Sequence, residues 1–251
     1  MRKPRILLFG DSHSYAVQRA IEKREGKGKP APLKAHRLSK IKNGKMQGDT
    51  SLEEFIEIVR PLRQHDIVIS MIGGNQHAVF STIQHANPFD FLEPGKEAKL
   101  QDGAELIPYR MLETAFEKGI RNGDGKSIEA LRKATSARMI HVLPPPPKSD
   151  NEFIQQFHES FFAKEGIANQ GVSSPALRLK FWTLQTRVLE MLCDDLGVEL
   201  MMPPAKAVDR RGFLARDFYA NDATHANHFY GELLLREIET RFTEDKTRGE
   251  A

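Results

Sequence analysis

The sequence predicts an α/β protein built on a mostly parallel five-stranded sheet with helices on both faces. Three observations carry that reading. Short apolar runs alternate with longer amphipathic stretches from one end of the chain to the other. The runs Ile6–Phe9 and Ile67–Ile72 are nearly continuous in apolar residues, as strands covered on both faces are. Several runs end abruptly at glycine or proline, which close strands rather than extend them. No internal repeat and no linker divides the 251 residues. They are read as a single domain over 1–242 with a charged, disordered tail over 243–251.

Taken in order, Ile6–Phe9 is a buried strand that stops at Gly10 and turns polar at Gly10-Asp11-Ser12. Tyr15–Arg24 follows as a helix, with Tyr15, Ala16, Ala20 and Ile21 at helical spacing. The run Lys23–Lys29 carries two glycines and reads as a solvated basic loop. Pro32–Leu38 is a weak second strand, followed by a polar loop over 43–51. Thr50 with Glu53, or Ser51 with Glu54, makes a capping box for a helix carrying Leu52, Phe55, Ile56, Val59 and Leu62, which Pro61 bends or ends. Asp66–Ile72 is a central strand that stops at Gly73-Gly-Asn75.

From His85 to Arg110 prolines and glycines break the pattern, with Phe89 and Phe91 between them. A long irregular stretch of this kind is expected to be a lid or an inserted loop over the crevice. Helices are then expected over Met111–Lys118 and Ile128–Thr135, on either side of a loop at 122–125. Ala137–Leu143 is a fourth strand, closed by four prolines at 144–147. Asn151–Glu165 reads as one helix. Ser174-Pro175 opens another that Gly197 closes, with Leu177, Phe181, Leu184, Val188, Met191 and Leu192 inward. Val198–Met202 is the fifth strand, Arg210–Asn221 a loop, and Asn227–Phe242 the last helix.

Composition narrows the function classes. A hydrophobic content of 39% supports a real core, and a net charge of +3 does not argue for a nucleic-acid partner. Cys193 is the only cysteine, which rules out an internal disulfide and a cysteine-based metal site, and its helical context reads as buried. No apolar run approaches the ~20 residues of a membrane span. The amino terminus leads straight into the first strand, so a cytoplasmic protein without membrane contact is expected. No oligomeric state can be read.

Four polar spots punctuate this pattern: Gly10-Asp11-Ser12, Gly48-Asp49-Thr50, Gly74-Asn75 and Asp222-Ala-Thr-His225. In a doubly wound sheet all four can meet in the crevice beyond the strand ends. Together they are complete for acyl transfer. A serine nucleophile at Ser12 needs a base, which His225 supplies. The imidazole needs its tautomer fixed and its later charge stabilised, which Asp222 can do through the other ring nitrogen. The N–H groups of Ser12 and Gly48 and the side-chain amide of Asn75 can donate to an oxyanion.

Those four blocks, in that order, resemble the SGNH (GDSL-type) esterase family. The resemblance runs from the first strand to the last helix. It implies a flavodoxin-like three-layer sandwich, Ser12, Asp222 and His225 as the triad, and Ser12, Gly48 and Asn75 as the oxyanion hole. It implies no metal and no cofactor. The sequence departs from the family at His13, where leucine is usual, and at Gln76, where aspartate often follows the asparagine. Both alter the pocket wall, and Asp11, His13, Gln76 and His77 are candidate substrate contacts. Gly44 is a second candidate for the loop glycine.

The expected partner is a small-molecule or glycan ester carrying a short acyl or O-acetyl group, with acyl transfer to another alcohol open to the same triad. Two other classes stay open. Asp11-Ser-His13 and Gly74-Asn75-Gln-His77 faintly resemble metallophosphoesterase clusters, although no Gly-x-His-x-His follows. A non-catalytic binding module on the same fold is the third.

Overall fold

The computed structural model describes residues 3–42, 44–97 and 99–242; the tail 243–251, expected to be disordered, lies outside the described residues. Five strands form the main sheet: β1 (Ile6–Gly10), β2 (Lys34–Arg37), β3 (Ile67–Met71), β4 (Arg138–Val142) and β5 (Glu199–Met201). Their order is β2-β1-β3-β4-β5, and every pairing is parallel. This is the flavodoxin-like order, in which the direction of winding reverses between β1 and β3. The crevice beyond their carboxyl ends is therefore the expected binding place.

Alternation along the strands sorts the helices into two layers. Ile6 and Leu8 of β1, and Ile67, Ile69 and Met71 of β3, face α1 (Tyr15–Glu25) and α10 (His228–Phe242) through Val17, Ala20, Leu234, Leu235 and Ile238. Phe9 and Val68 face the other way. They meet α2 (Leu52–Val59), α4 (Tyr109–Asn122), α5 (Asp124–Ala134) and the long α9 (Pro175–Leu196) through Phe55, Phe116, Ile128 and Phe181. The result is the three-layer sandwich that the sequence predicts. Near the crevice are α3 (Gln76–Ser81) and three short helices, α6 (Asn151–Gln156), α7 (Ser160–Lys164) and α8 (Ile167–Gln170).

Local signals account for the helix ends. Ser51 and Glu54 form the reciprocal capping box of α2. Ser174 accepts from Leu177 N ahead of Pro175, and Gly197 closes α9 in the left-handed conformation. Cys193 is buried as expected, and burial pushes its thiol up to about 12. Among the described residues no helix is long and apolar enough to cross a membrane.

Two expectations are corrected. α4 and α5 are separated only by Gly123, so the loop expected at 122–125 is a tight break between helices. The single helix expected over 151–165 is two helices, α6 and α7, with Phe157, His158 and Glu159 between them. The carboxylate of Glu159 there is committed to partners in another part of the chain, described below.

Residues 85–110 pair Phe89–Asp90 with Glu105–Leu106 as a short parallel ribbon. Phe91 has no exposed surface and packs edge-on against Phe181, with ring centroids 5.1 Å apart. The Lys180 ammonium of α9 grips both Asp90 carboxylate oxygens at 2.8 Å and the Phe91 and Lys99 carbonyls. The aromatic residues of this stretch thus belong to the core against α4 and α9.

Phe91→Ala should therefore destabilise the fold by about 3–5 kcal/mol, as truncation of a fully buried phenylalanine does. Urea denaturation followed by circular dichroism checks it; an unchanged midpoint would place the segment outside the core.

Candidate active site

The site starts from strand register. Gly10 of β1 stands opposite Met71 of β3, so the two chains leave the sheet side by side. Asp11 binds them together: its backbone N–H donates to the Met71 carbonyl at 3.3 Å, and its Oδ2 accepts from Gly73 N at 2.9 Å. Its carbonyl accepts from Ser14 N and Ser14 Oγ, turning the chain through Ser12–Ser14 into α1. Gly73 and Gly74 have φ of +80° and +99°. A Cβ on Gly73 would meet the Asp124 carboxylate at 2.5 Å, and one on Gly74 the Pro144 ring at 2.9 Å. Glycine is needed at both positions to bring Asn75 to the head of α3.

Asn75 is held by His13. His13 Nε2 lies 2.9 Å from Asn75 Oδ1. An amide oxygen only accepts, so Nε2 carries the hydrogen, and the amide NH2 is left for another acceptor. Burial, helped by nearby His225, lowers the His13 pKa to about 4, so the ring stays neutral.

His225 is brought in from the other end of the chain. Asp222 Oδ2 lies 2.9 Å from His225 Nδ1, and Oδ1 accepts from the backbone N–H of His225 at 2.7 Å and of Thr224 at 3.1 Å. Nδ1 is thereby the protonated nitrogen of the neutral ring, and Nε2 is left as the basic one. Nε2 is shielded from solvent and has no hydrogen-bond partner among the described residues. A second carboxylate oxygen, Glu159 Oε1, lies 3.3 Å from the same Nδ1. Burial alone would lower the His225 pKa, but Asp222 and Glu159 outweigh it and raise it to about 9.

Behind Asp222 stands Lys148, whose side chain is completely buried. Its ammonium donates to the Ala220 carbonyl at 2.7 Å and the Asp222 carbonyl at 2.5 Å, with Asp222 Oδ1 at 3.4 Å. It also sits over the rings of Phe153 and Tyr219. Burial lowers the Lys148 pKa to about 8, against the pull of Asp222. Asp222 itself is held well below the usual carboxylate range: its burial is outweighed by His225 and Lys148.

Ser12, Asn75, Thr224 and His225 line one cavity of about 270 Å³, together with Ala78, Val79, Glu159, Phe161 and Phe162. Side chains of α3 and α7 supply its apolar lining. None of residues 85–110, expected to cover the crevice, lines this cavity. A larger basic groove of about 460 Å³ lies between α1 and α10, at Lys23, Lys29, His228 and Arg236, and contains none of these groups.

The structure thus brings together Ser12, Asn75, Asp222 and His225. It turns several other candidates elsewhere. Gly48, at φ +89°, lies against β2's exit, where a Cβ would meet the Leu38 carbonyl at 2.2 Å; it is not among the cavity-lining residues. Asp11 accepts from the Gly73 and His13 backbone N–H groups. The Gln76 amide packs on Gly119 of α4. Buried His77 pairs with Gln185 Oε1 through both its backbone N–H and Nδ1, and burial lowers its pKa to about 4. His13 contacts Asn75 and stacks at a tilt on His225, 4.9 Å between centroids. The metallophosphoesterase-like groups Asp11 and His77 therefore face structural partners.

Ligand atoms of Glu159, Asp222 and His225 lie within 4.8 Å of one another. Hydrogen bonds already engage Nδ1 and both carboxylates, which is the arrangement of an imidazolium held between two acids. Sequence reasoning missed Glu159 and Lys148. Glu159 lay inside a helical pattern with no sign of its partner; Lys148 had a faint one, directly after four prolines that stiffen the strand's exit.

No protein-family model and no curated protein matches the chain. Solved structures do. The chain is similar to a carbohydrate acetylesterase from Sinorhizobium meliloti at 15% identity, covering 95% of this chain and 98% of that one, with a TM-score of 0.45. The inhibitor-bound aryl esterase of M. smegmatis matches at 13% identity over 94% and 99%, TM-score 0.45. A GDSL-like lipase from Bacteroides thetaiotaomicron matches at 11% over 96% and 91%, TM-score 0.46. Those neighbours are esterases and a lipase. The likeness is distant, and the chemistry rests on this chain's own residues.

The two carboxylates on His225 carry a consequence for stability. Its pKa stands at about 9 in the folded chain against an ordinary 6.5. The folded state therefore holds the proton more tightly, and this contribution is complete below about 6.5 and lost as pH rises through about 9. Comparing wild type with His225→Gln by denaturation across pH 6–10 should show the difference shrinking as pH rises. A difference that grows with pH would contradict the geometry.

Proposed function

We propose that this chain hydrolyses carboxylic esters through a serine nucleophile, with a short acyl or O-acetyl ester of a carbohydrate or small metabolite as substrate. The observation that carries the reading is the unpartnered, shielded Nε2 of His225, oriented by Asp222, in a cavity that Ser12 and Asn75 also line. A base free on one nitrogen and anchored on the other is what a serine needs for activation.

In this reading Ser12 Oγ attacks the ester carbonyl carbon while its proton passes to His225 Nε2. The carbonyl π pair moves onto oxygen, and the oxyanion is received by the Ser12 N–H and the Asn75 amide NH2. Collapse breaks the bond to the alcohol, which leaves with the proton from His225, and an acyl-Ser12 remains. Water then attacks, giving its proton to His225, and the acid departs as Ser12 recovers a proton. Gly48 stays a proposed third donor, one that would have to approach from the loop ahead of α2. The apolar wall of Ala78, Val79, Phe161 and Phe162 suits a short acyl chain, and 270 Å³ holds a small ester rather than a long lipid. If an alcohol other than water enters faster, the same residues transfer the acyl group.

A fluorophosphonate probe should label the wild type and leave Ser12→Ala unlabelled; persistent labelling of the variant would sink the assignment. Asn75→Ala should lower kcat by about 10²–10³ with KM nearly unchanged, because its amide acts on the oxyanion and little on the ground state. Since His225 must be neutral to accept a proton, kcat/KM should rise with pH through about 9. A panel of p-nitrophenyl esters and acetylated sugars, assayed over pH 6–10, measures both the limb and the chain-length preference.

A further inference from the structure

Asp222 is the acid that the Asp-x-x-His spacing assigns to His225. A second acid reaches the same imidazole from a part of the chain more than sixty residues away. Glu159 stands between α6 and α7, where it interrupts what the sequence reads as one helix. Its two oxygens are divided. Oε2 accepts from Ala223 N at 3.0 Å; Oε1 accepts from the Thr224 hydroxyl and lies 3.3 Å from His225 Nδ1. Three consecutive residues of the turn that carries the base are thus tied to one carboxylate. The same glutamate lines the cavity beside Ser12, and its neighbours Phe161 and Phe162 form the apolar wall.

We propose that Glu159 is a positioning residue that shares His225 with Asp222, and that its negative charge sets the pH above which His225 can accept a proton. The proposal deepens the serine-hydrolase reading and rests on it for its kinetic consequence, while the charge coupling itself does not. Two acids against one ring give the imidazolium more stabilisation than one acid can, so the proton taken from Ser12 is held more firmly. The cost is that the resting base stays protonated at neutral pH.

The other groups around the ring do not account for this. His13, from the turn after β1, faces His225 at 4.9 Å, is neutral, and is committed to Asn75. Lys148, from the exit of β4, lies behind Asp222 and opposes a positive ring. Arg216 stacks on Phe153 and Tyr219 and is paired with Asp150, so that ion pair adds no net negative charge on that side. Thr224 contacts Nδ1 at 3.3 Å without charge. Asp222 and Glu159 are therefore the acids that hold the ring among the described residues; burial and the neighbouring Asp222 push the Glu159 pKa up, but the hydrogen bonds with His225 and Thr224 outweigh them and lower it, so Glu159 stays ionised.

The test is a titration of the His225 ring by NMR in the whole protein, with the resonance assigned by its loss in His225→Gln, alongside pH–rate profiles. In Glu159→Gln, which keeps the hydrogen-bonding shape and removes the charge, the ring should titrate at least about one pH unit lower than in wild type. The acid limb of kcat/KM should move down with it while KM stays put. Superimposable titrations of wild type and Glu159→Gln would overturn the proposal. If Glu159→Gln does not fold, Asp222→Asn decides: Glu159 then remains as the carboxylate on Nδ1, and the ring should still titrate above the ordinary 6.5; a value at or below it would overturn the proposal. Undiminished turnover in Ser12→Ala would overturn the hydrolase reading instead, and the titration would still decide the role of Glu159.

Discussion

Everything at the site depends on the parallel pairing of β1 with β3. With Gly10 opposite Met71, the polypeptide leaves the sheet twice at the same height, and the Asp11 carboxylate closes the gap by accepting from Gly73 N. That one buried contact determines where Ser12 and Asn75 can be. The helices that follow each strand pack on opposite faces of the sheet, α1 with α10 and α2, α4, α5 and α9 together. The crevice between them stays open because the winding reverses there. Asp11, which sequence reading offered to a substrate, serves this geometry.

Charge around His225 is layered in a definite order. Lys148 is a buried cation behind Asp222, Asp222 and Glu159 are anions on Nδ1, His225 is the ring, and His13 is a neutral ring in front of it. A fully buried lysine would be costly in isolation; here two backbone carbonyls and a carboxylate take its hydrogens. The ammonium holds the 220–222 turn by its carbonyls, and the aspartate is thereby presented rigidly. His13 stays neutral for the opposite reason, being buried beside another imidazole, and so it can donate to Asn75 Oδ1 without competing for the proton. A histidine at this position makes a hydrogen bond to the asparagine amide that an apolar side chain could not make.

The segments between the motifs divide the remaining work. Prolines and glycines break the periodicity of residues 85–110, which the sequence reads as a lid or an inserted loop. Their aromatics complete the core against α9, and Lys180 ties down the backbone around Asp90. The apolar wall comes from α3 and α7, whose Val79, Phe161 and Phe162 line the same cavity as Ser12, Asn75 and His225. The 157–165 stretch thus supplies part of the apolar wall and, through Glu159, a carboxylate against the His225 ring.

The sequence alone determined the layers and the pairings that short-range pattern carries. Apolar runs closed by glycine or proline marked four of the five strands, capping residues such as Ser51 and Ser174 marked helix starts, and Asp222 three residues before His225 marked a pair that one turn brings together. These are short-range signals, set by backbone geometry within a few residues. Tertiary structure decided what depends on contacts between distant parts of the chain. It turned Asp11, Gln76 and His77 to structural partners, set His13 on Asn75 across 62 positions, and brought Glu159 and Lys148 to a turn more than sixty residues away. A carboxylate or an ammonium carries no mark of its partner in its own neighbourhood. Only when the sheet and its covering helices close around them does burial force each such group to find one.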